Sequence, residues 1–255
     1  MNLCFNTSLA DGYISASQSS RRLTEGWISE NMYCPRCGHI RVKQFENNRP
    51  VADFYCEECK NEFELKSKSS ALGKKVIDGA YDTMIKRITS NTNPDFFFLG
   101  YNPTMNIVTD LIVVPKFFFV PDIIEKRNPL NPTARRAGWV GCNIVISTIP
   151  EQGRIEIIKK GVEIPQNKVI EKLNLSTRFE TKNIEIRGWL LDVLNCVNLI
   201  KSDTFDLQDI YSFVAILSKK HPGNNNVEAK IRQQLQLLRD KNVIEFLGNG
   251  KYRKI

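Results

Sequence analysis

Apolar and polar residues alternate along Glu62-Phe63-Glu64-Leu65-Lys66-Ser67-Lys68, the period of a strand with one face towards a core. Upstream, Arg21, Arg22, Leu23, Trp27 and Ile28 fall in an amphipathic pattern, so residues 1–30 are read as mostly helical. Residues 31–66 between them read as loop, knuckle, strand, knuckle and strand. The spacing of Val76, Ile77, Ala80, Met84 and Ile88 predicts a helix over 76–88. Apolar runs at 95–99 and 107–114 predict two strands, with Pro103 and Asn106 in the turn between them, and 142–146 predicts another. Weak periodicity over 165–183 predicts a boundary, giving domains 1–182 and 183–255. The second domain reads as three helices at 189–200, 206–217 and 227–240. They are followed by two short strands around Leu247-Gly248-Asn249-Gly250, which is a winged helix.

The cysteines add a metal to this outline. Cys34-Pro35-Arg36-Cys37 and Cys56-Glu57-Glu58-Cys59 present two thiolate pairs 18 residues apart, the pattern of a tetrahedral structural zinc site. Gly38 follows the first pair where a tight turn is needed. Four thiolates close the coordination shell, which leaves no vacancy for His39 and no catalytic role for this metal. Cys4, Cys142 and Cys196 are expected to be small buried hydrophobes.

With two histidines in 255 residues, no Ser-His-Asp triad or His-metal nuclease motif is available, so hydrolysis has to run on carboxylates, lysine and a bound metal. Asp53 lies 11 residues before Glu64. Within the strand, Glu64 and Lys66 share a face while Leu65 points to the core, and Asp53 can reach them from a neighbouring strand. Two carboxylates suit a hard divalent ion such as magnesium, and Lys66 suits positioning or deprotonating a water. A fourth acidic participant, Glu25 or Glu30, has no support in the spacing. The formal net charge of +8 makes nucleic acid the expected acidic partner. No apolar run reaches the roughly 18 residues of a membrane span, and the longest, around 111–120, is broken by Pro115 and Lys116. With no secretory signal at the N-terminus and metal-type cysteines, the cytoplasm is expected.

Asp53, Glu64 and Lys66 in this order resemble the core positions of the PD-(D/E)xK nuclease superfamily, with Pro50 standing three residues before Asp53 rather than next to it. The runs 45–56 and 62–68, Pro132-Thr133-Ala134-Arg135-Arg136-Ala137-Gly138-Trp139, and the tail from Lys230 through Gly250-Lys251-Tyr252-Arg253-Lys254 are similar to the DpnI family of restriction endonucleases. That resemblance implies an α/β nuclease core, a mixed sheet flanked by helices with an inserted zinc ribbon, plus a C-terminal winged helix. It implies cleavage of double-stranded GATC carrying 6-methyladenine, with magnesium for catalysis and zinc for structure. The expected partner is adenine-methylated double-stranded DNA, met by a monomeric chain with no membrane association. Residues and spacing by themselves reach only a zinc-bearing, metal-dependent, DNA-directed protein.

Residues 225–255 carry a net charge of +4 while 183–224 carry −1, so the cationic surface concentrates on the third helix and wing. Val227, Ile231, Leu235 and Leu238 share one face of that helix, and Ala229, Arg232, Gln233 and Gln236 lie opposite, where Arg and Gln can read guanine and adenine. Asn225 and Glu228 are spaced for a capping box, Gln234 falls near the apolar face, Asn225 and Lys230 are also expected at the DNA, and Lys251, Arg253 and Lys254 suit phosphates. Arg135, Arg136 and Trp139 form a second cluster, in which Trp139 either senses the methyl group or packs in the core. Two other functions fit the residues: a non-catalytic methyl-DNA-binding regulator and a repair nuclease.

Overall fold

The computed structural model describes residues 1–46, 52–90, 92–181 and 183–255. Pro50 therefore lies outside the described residues. The chain divides into two compact units, Met1–Thr177 and Arg178–Ile255. The 182/183 boundary read from sequence falls at Lys182, also outside the described residues.

In the first unit the elements run α1 (Ala16–Asn31), β1 (Lys43–Gln44), β2 (Phe54–Tyr55), β3 (Glu62–Lys68), β4 (Val76–Ala80), α2 (Tyr81–Ile88), β5 (Asp95–Asn102), β6 (Ile107–Val114), β7 (Ile124–Lys126), β8 (Gly141–Ile144), β9 (Ile155–Lys159), β10 (Val162–Glu163) and α3 (Gln166–Ser176). Seven strands form a mixed sheet in the order β1-β2-β3-β5-β6-β9-β10, in which β3 and β5 are parallel and the other pairs antiparallel. A parallel pair needs a long crossover, and β4 and α2 supply it. β4, β8 and β7 make a separate three-stranded sheet.

Alternation in β3 assigns the two faces. Phe63 and Leu65 turn to a core that includes Trp27 and Ile28 of α1, Phe97 and Leu99 of β5, and Val169 and Leu173 of α3. Glu64 and Lys66 turn the other way, in register with Phe96 and Phe98. The Leu65 orientation expected from sequence is the one observed.

Four readings of this unit are corrected. The first fifteen residues hold one 3-10 turn, Thr7–Ala10, rather than helix. The helix expected over 76–88 begins only at Tyr81, because Val76–Ala80 is extended and pairs with β8. Val76 and Ile77 are β-branched, which favours a strand. The weak periodicity read over 165–183 gives way to α3, with Val169, Leu173 and Ser176 buried at helical spacing, while the break between the units, after Thr177, does fall within that segment. Cys4 is exposed rather than buried, whereas Cys142 and Cys196 are buried.

The second unit contains α4 (Ile184–Leu199), β11 (Thr204–Asp206), α5 (Leu207–Tyr211), α6 (Val214–Lys220), α7 (Val227–Asp240), β12 (Ile244–Gly248) and β13 (Lys251–Lys254). The middle helix expected at 206–217 is divided at Ser212 and Phe213, and its start carries a capping box between Asp206 and Asp209. The hairpin turns through Gly248, Asn249 and Gly250, all at positive φ, which glycine adopts without cost. β11 extends it to a three-stranded sheet of order β11-β13-β12. Among the described residues no helix is long and apolar enough to cross a membrane.

Candidate active site, metal centre and nucleic-acid interface

The two CxxC turns are built alike. Gly38 N–H donates to Cys34 O (2.8 Å) and Lys60 N–H to Cys56 O (3.0 Å). The residue after each second cysteine, Gly38 or Lys60, stands at positive φ. The turns bring Cys34 Sγ to 3.6 Å from Cys59 Sγ, and Cys37 Sγ to 3.6 Å from Cys56 Sγ. All four sulfurs lie within 4.8 Å of one another. Thiolates on a tetrahedral zinc at about 2.3 Å stand roughly 3.8 Å apart, so the set fits the ion. Burial pushes the Cys34 thiol well above its ordinary range, and a cation is what makes a thiolate tolerable there. Denaturation is expected to release about one equivalent of zinc, measured with a chromophoric chelator. A chelator-stripped protein that kept its native circular dichroism would refute a structural role for the metal.

The knuckles are fastened to the main sheet through Asp95, the fully buried first residue of β5. Arg36, between the first two cysteines, donates from Nε to Asp95 Oδ2 (2.7 Å) and from Nη2 to Oδ1 (2.9 Å). Asn61, two residues past Cys59, donates from Nδ2 to Asp95 Oδ2 (2.8 Å). The Lys116 N–H donates to Oδ1 (2.9 Å). Asp95 thus accepts from both knuckles and from the turn after β6, while β5 pairs directly with the strand carrying Glu64 and Lys66.

Asp53, Glu64 and Lys66 line one cavity of about 370 Å³, together with Ser17, Ser20, Arg21, Thr24 and Glu25 from α1. Asp53 precedes β2, and its Oδ2 accepts from the Leu65 N–H (2.7 Å), which pins its carboxylate beside β3. Burial raises the Asp53 pKa; the Leu65 N–H opposes this, and the nearby charges of Glu64 and Glu25 add to it. Lys66 Nζ lies 2.6 Å from Glu64 and also contacts Asp78 of β4. Burial alone lowers its pKa, but the two carboxylates outweigh burial and hold the ammonium above the ordinary lysine range. Arg87 of α2 approaches the second Glu64 oxygen at 2.9 Å. Among the described residues only the four cysteines meet as a compact group of three or more metal donors, so a cation at the acidic end would rest on a carboxylate pair. Magnesium accepts one or two carboxylates with the rest of its shell from water and phosphate, and Asp53 with Glu64 fits that demand.

In the second unit, α7 buries Val227, Ile231, Gln234, Leu235 and Leu238 and exposes Ala229, Arg232, Gln233 and Gln236, the two faces read from sequence. The capping box at Asn225 is not formed. The helix begins at Val227 with Asn226 as N-cap, and three residues on stands Ala229, which has no carboxylate to return the bond. Asn225 is exposed and Lys230 half-buried. Arg232 Nη1 donates to the Tyr211 hydroxyl (2.6 Å). On the hairpin, Lys251 and Arg253 are exposed, Arg253 lies 3.3 Å from Glu245, and Lys254 donates to Ile200 O. In the first unit, Arg135 and Arg136 are exposed in the loop between β7 and β8. The Arg136 guanidinium lies 4.6 Å from the centre of the half-buried Trp139 ring. Trp139 is outside the buried core, so the alternative of a core tryptophan is set aside.

A model of the Dam-replacing family, DpnI, matches residues 1–182, and a model of the Dam-replacing HTH domain matches residues 185–254. The chain belongs to the DpnI family. This makes it a restriction-endonuclease homologue with a DNA-binding helix-turn-helix unit, and the winged helix read from sequence is the matched one. Within this DpnI-family chain, Asp78 and Arg87 stand beside the acidic cavity without having been read from sequence, and Glu25, named as a fourth candidate without support, does line it. Asp78 sits on the strand misread as helix, which hid the face it presents. Arg87 needed the β3–β5 crossover to come near Glu64. Glu25 lies within reach only once α1 is laid across the sheet edge. Glu30 is exposed at the far end of α1.

Proposed function

We propose that this protein is a magnesium-dependent, methyl-directed restriction endonuclease of PD-(D/E)xK type that hydrolyses double-stranded DNA at GATC carrying 6-methyladenine. The observation that carries the reading is the gathering of Asp53, Glu64 and Lys66 in one cavity, within a chain of the DpnI family. Asp53 and Glu64 would hold the catalytic divalent ion. When bound, that ion supplies Lewis-acid polarisation of the phosphate. Lys66, steadied by Asp78, orients the attacking water and offsets negative charge as it develops. A DNA-binding regulator has no use for carboxylates gathered beside a phosphate path, since they repel its ligand.

DNA is held in two places in this reading. The exposed face of α7, with Arg232, Gln233 and Gln236, and Ala229 against a thymine methyl, reads base edges. Asn225, Lys230, Lys251 and Arg253 meet phosphates. In the nuclease unit, Arg135 and Arg136 hold the backbone, while Trp139 offers an apolar surface to the adenine methyl. A cavity of about 430 Å³ lined by Leu130, Ala134, Arg135 and Arg136 lies in the same loop as Trp139.

The test is a magnesium digest of one plasmid prepared from an adenine-methylating host and from a host lacking that methylase, with Asp53→Ala as control. Cleavage confined to the methylated plasmid and lost in the variant is expected. Tight binding without cleavage of either plasmid would replace the nuclease with a methyl-DNA reader. Trp139→Ala should lower the preference for methylated over unmethylated sites by about 10-fold or more, the discrimination one methyl group carries in an apolar pocket. Unchanged discrimination, measured as the ratio of kcat/KM values, would remove Trp139 from this role.

A further inference from the structure

α1 turns a polar row, Ser17, Ser20, Arg21, Thr24 and Glu25, towards the catalytic cavity, and the same stripe goes on, one turn later, to the buried Trp27 and Ile28. Among the described residues the cations lining the cavity are Lys66 and Arg21. They differ in how they are committed. Lys66 is 17% exposed and ion-paired to both Glu64 and Asp78, while the Arg21 side chain is 53% exposed. Glu25, whose side chain is 6% exposed, accepts from Arg21 Nε at 2.6 Å. Its other oxygen accepts from Gln44 Nε2 of β1 at 2.9 Å. The chain Gln44–Glu25–Arg21 therefore anchors a guanidinium by its Nε edge at the mouth of the cavity. The terminal Nη pair is the end available to an oxyanion.

We propose that Arg21 binds a phosphate of the DNA strand entering the cavity, with Glu25 and Gln44 as positioning residues that aim it. This rests on the nuclease reading of the same site. Substrate brings negative charge past Glu25, Asp53 and Glu64, and a cation at the mouth offsets part of that repulsion as the phosphate approaches Lys66. Arg21 is close enough to Asp53 to feel its charge, which puts it near the acidic pair. The buried Glu25 has a ready competing role as a third metal ligand. Its bonds from Arg21 and Gln44 give it a positioning role instead, and the magnesium titration below separates the two.

The experiment compares full-length Arg21→Ala, Arg21→Lys, Glu25→Ala, Glu25→Gln and the Arg21→Ala/Glu25→Ala double variant in steady-state cleavage of methylated DNA, titrated with magnesium. Melting curves are run for each, to separate unfolding from function. Arg21→Ala should lower kcat/KM by about 10²-fold, with Arg21→Lys recovering part of it. The half-saturating magnesium should stay within about twofold, since no ligand to the ion is lost. Glu25→Ala should resemble Arg21→Ala, and the double variant should be no worse than Arg21→Ala alone. Wild-type cleavage by Arg21→Ala would overturn the proposal. So would a raised magnesium requirement in Glu25→Gln with multiplicative losses in the double variant, which would make Glu25 a metal ligand. A second measurement stands apart from catalysis. With calcium replacing magnesium, the salt dependence of DNA binding should lose about one unit of slope in Arg21→Ala. If wild-type protein failed to cut, the nuclease reading would fall, and this slope would still decide whether Arg21 contacts phosphate.

Discussion

Asp53→Asn is expected to abolish cleavage of methylated DNA while making the metal-free protein harder to melt. The catalytic loss follows from the proposed role. A divalent ion at a phosphoryl centre is worth several kcal/mol of transition-state stabilisation, so removing one of two carboxylate ligands should cost about 10³-fold or more in kcat. The stability gain follows from charge. In the folded protein, burial and the charges of Glu64 and Glu25 hold the Asp53 pKa above that of the unfolded chain. The ionised carboxylate is therefore a cost to the native state. It is fully present above the folded pKa and vanishes as pH falls below the unfolded one, near 4. The variant should melt above wild type at pH 8 without metal, and the gap should close at acid pH. Magnesium should raise the melting temperature of wild type but not of the variant. A variant that melts below metal-free wild type at pH 8 would contradict this account of the acidic end of the cavity.

Asp95→Ala is expected to cost more stability than loss of any catalytic side chain. The substitution removes the acceptor that Arg36, Asn61 and the Lys116 N–H share, one fully buried carboxylate. Breaking a buried ion pair from one side costs about 3–5 kcal/mol. For a unit of this size that is roughly 6–20 °C in melting temperature. Zinc should be lost at lower chelator concentration as well, because Arg36 and Asn61 flank the ligand cysteines. Differential scanning calorimetry with zinc stoichiometry tests both effects. A shift of under about 2 °C, within the range of ordinary surface changes, would show that the knuckles do not lean on Asp95.

Short-range order was legible where it decided the outcome. The CxxC spacing, the alternation of Glu62–Lys68 and the two faces of the 227–240 segment each depend on residues within a few positions of one another, and each was found as expected. Features that depend on distant pairing were not. Val76–Ala80 has a spacing compatible with helix, and only β8, more than sixty residues on, makes it a strand. α3 shows only weak periodicity, and its burial, like that of β9, is set by the β6 edge and the knuckle side of the core. Of the acidic cavity, the elements bearing Asp53, Glu64 and Lys66 were readable from the hairpin alone. Arg21, Glu25, Asp78 and Arg87 join it from helices and strands whose packing no local pattern records.

The hairpin also limits how this gene can change in length. The chain between Asp53 and Glu64 is β2, the Cys56–Cys59 turn and the start of β3, so the turn that binds the structural metal is the turn that sets strand register. Side chains alternate along β3, and one codon inserted or deleted after Cys59 would exchange its faces. Glu64 and Lys66 would enter the apolar core, and Phe63 and Leu65 would take their places in the cavity. Insertions across residues 54–66 should thus be purged even when every reacting side chain is retained.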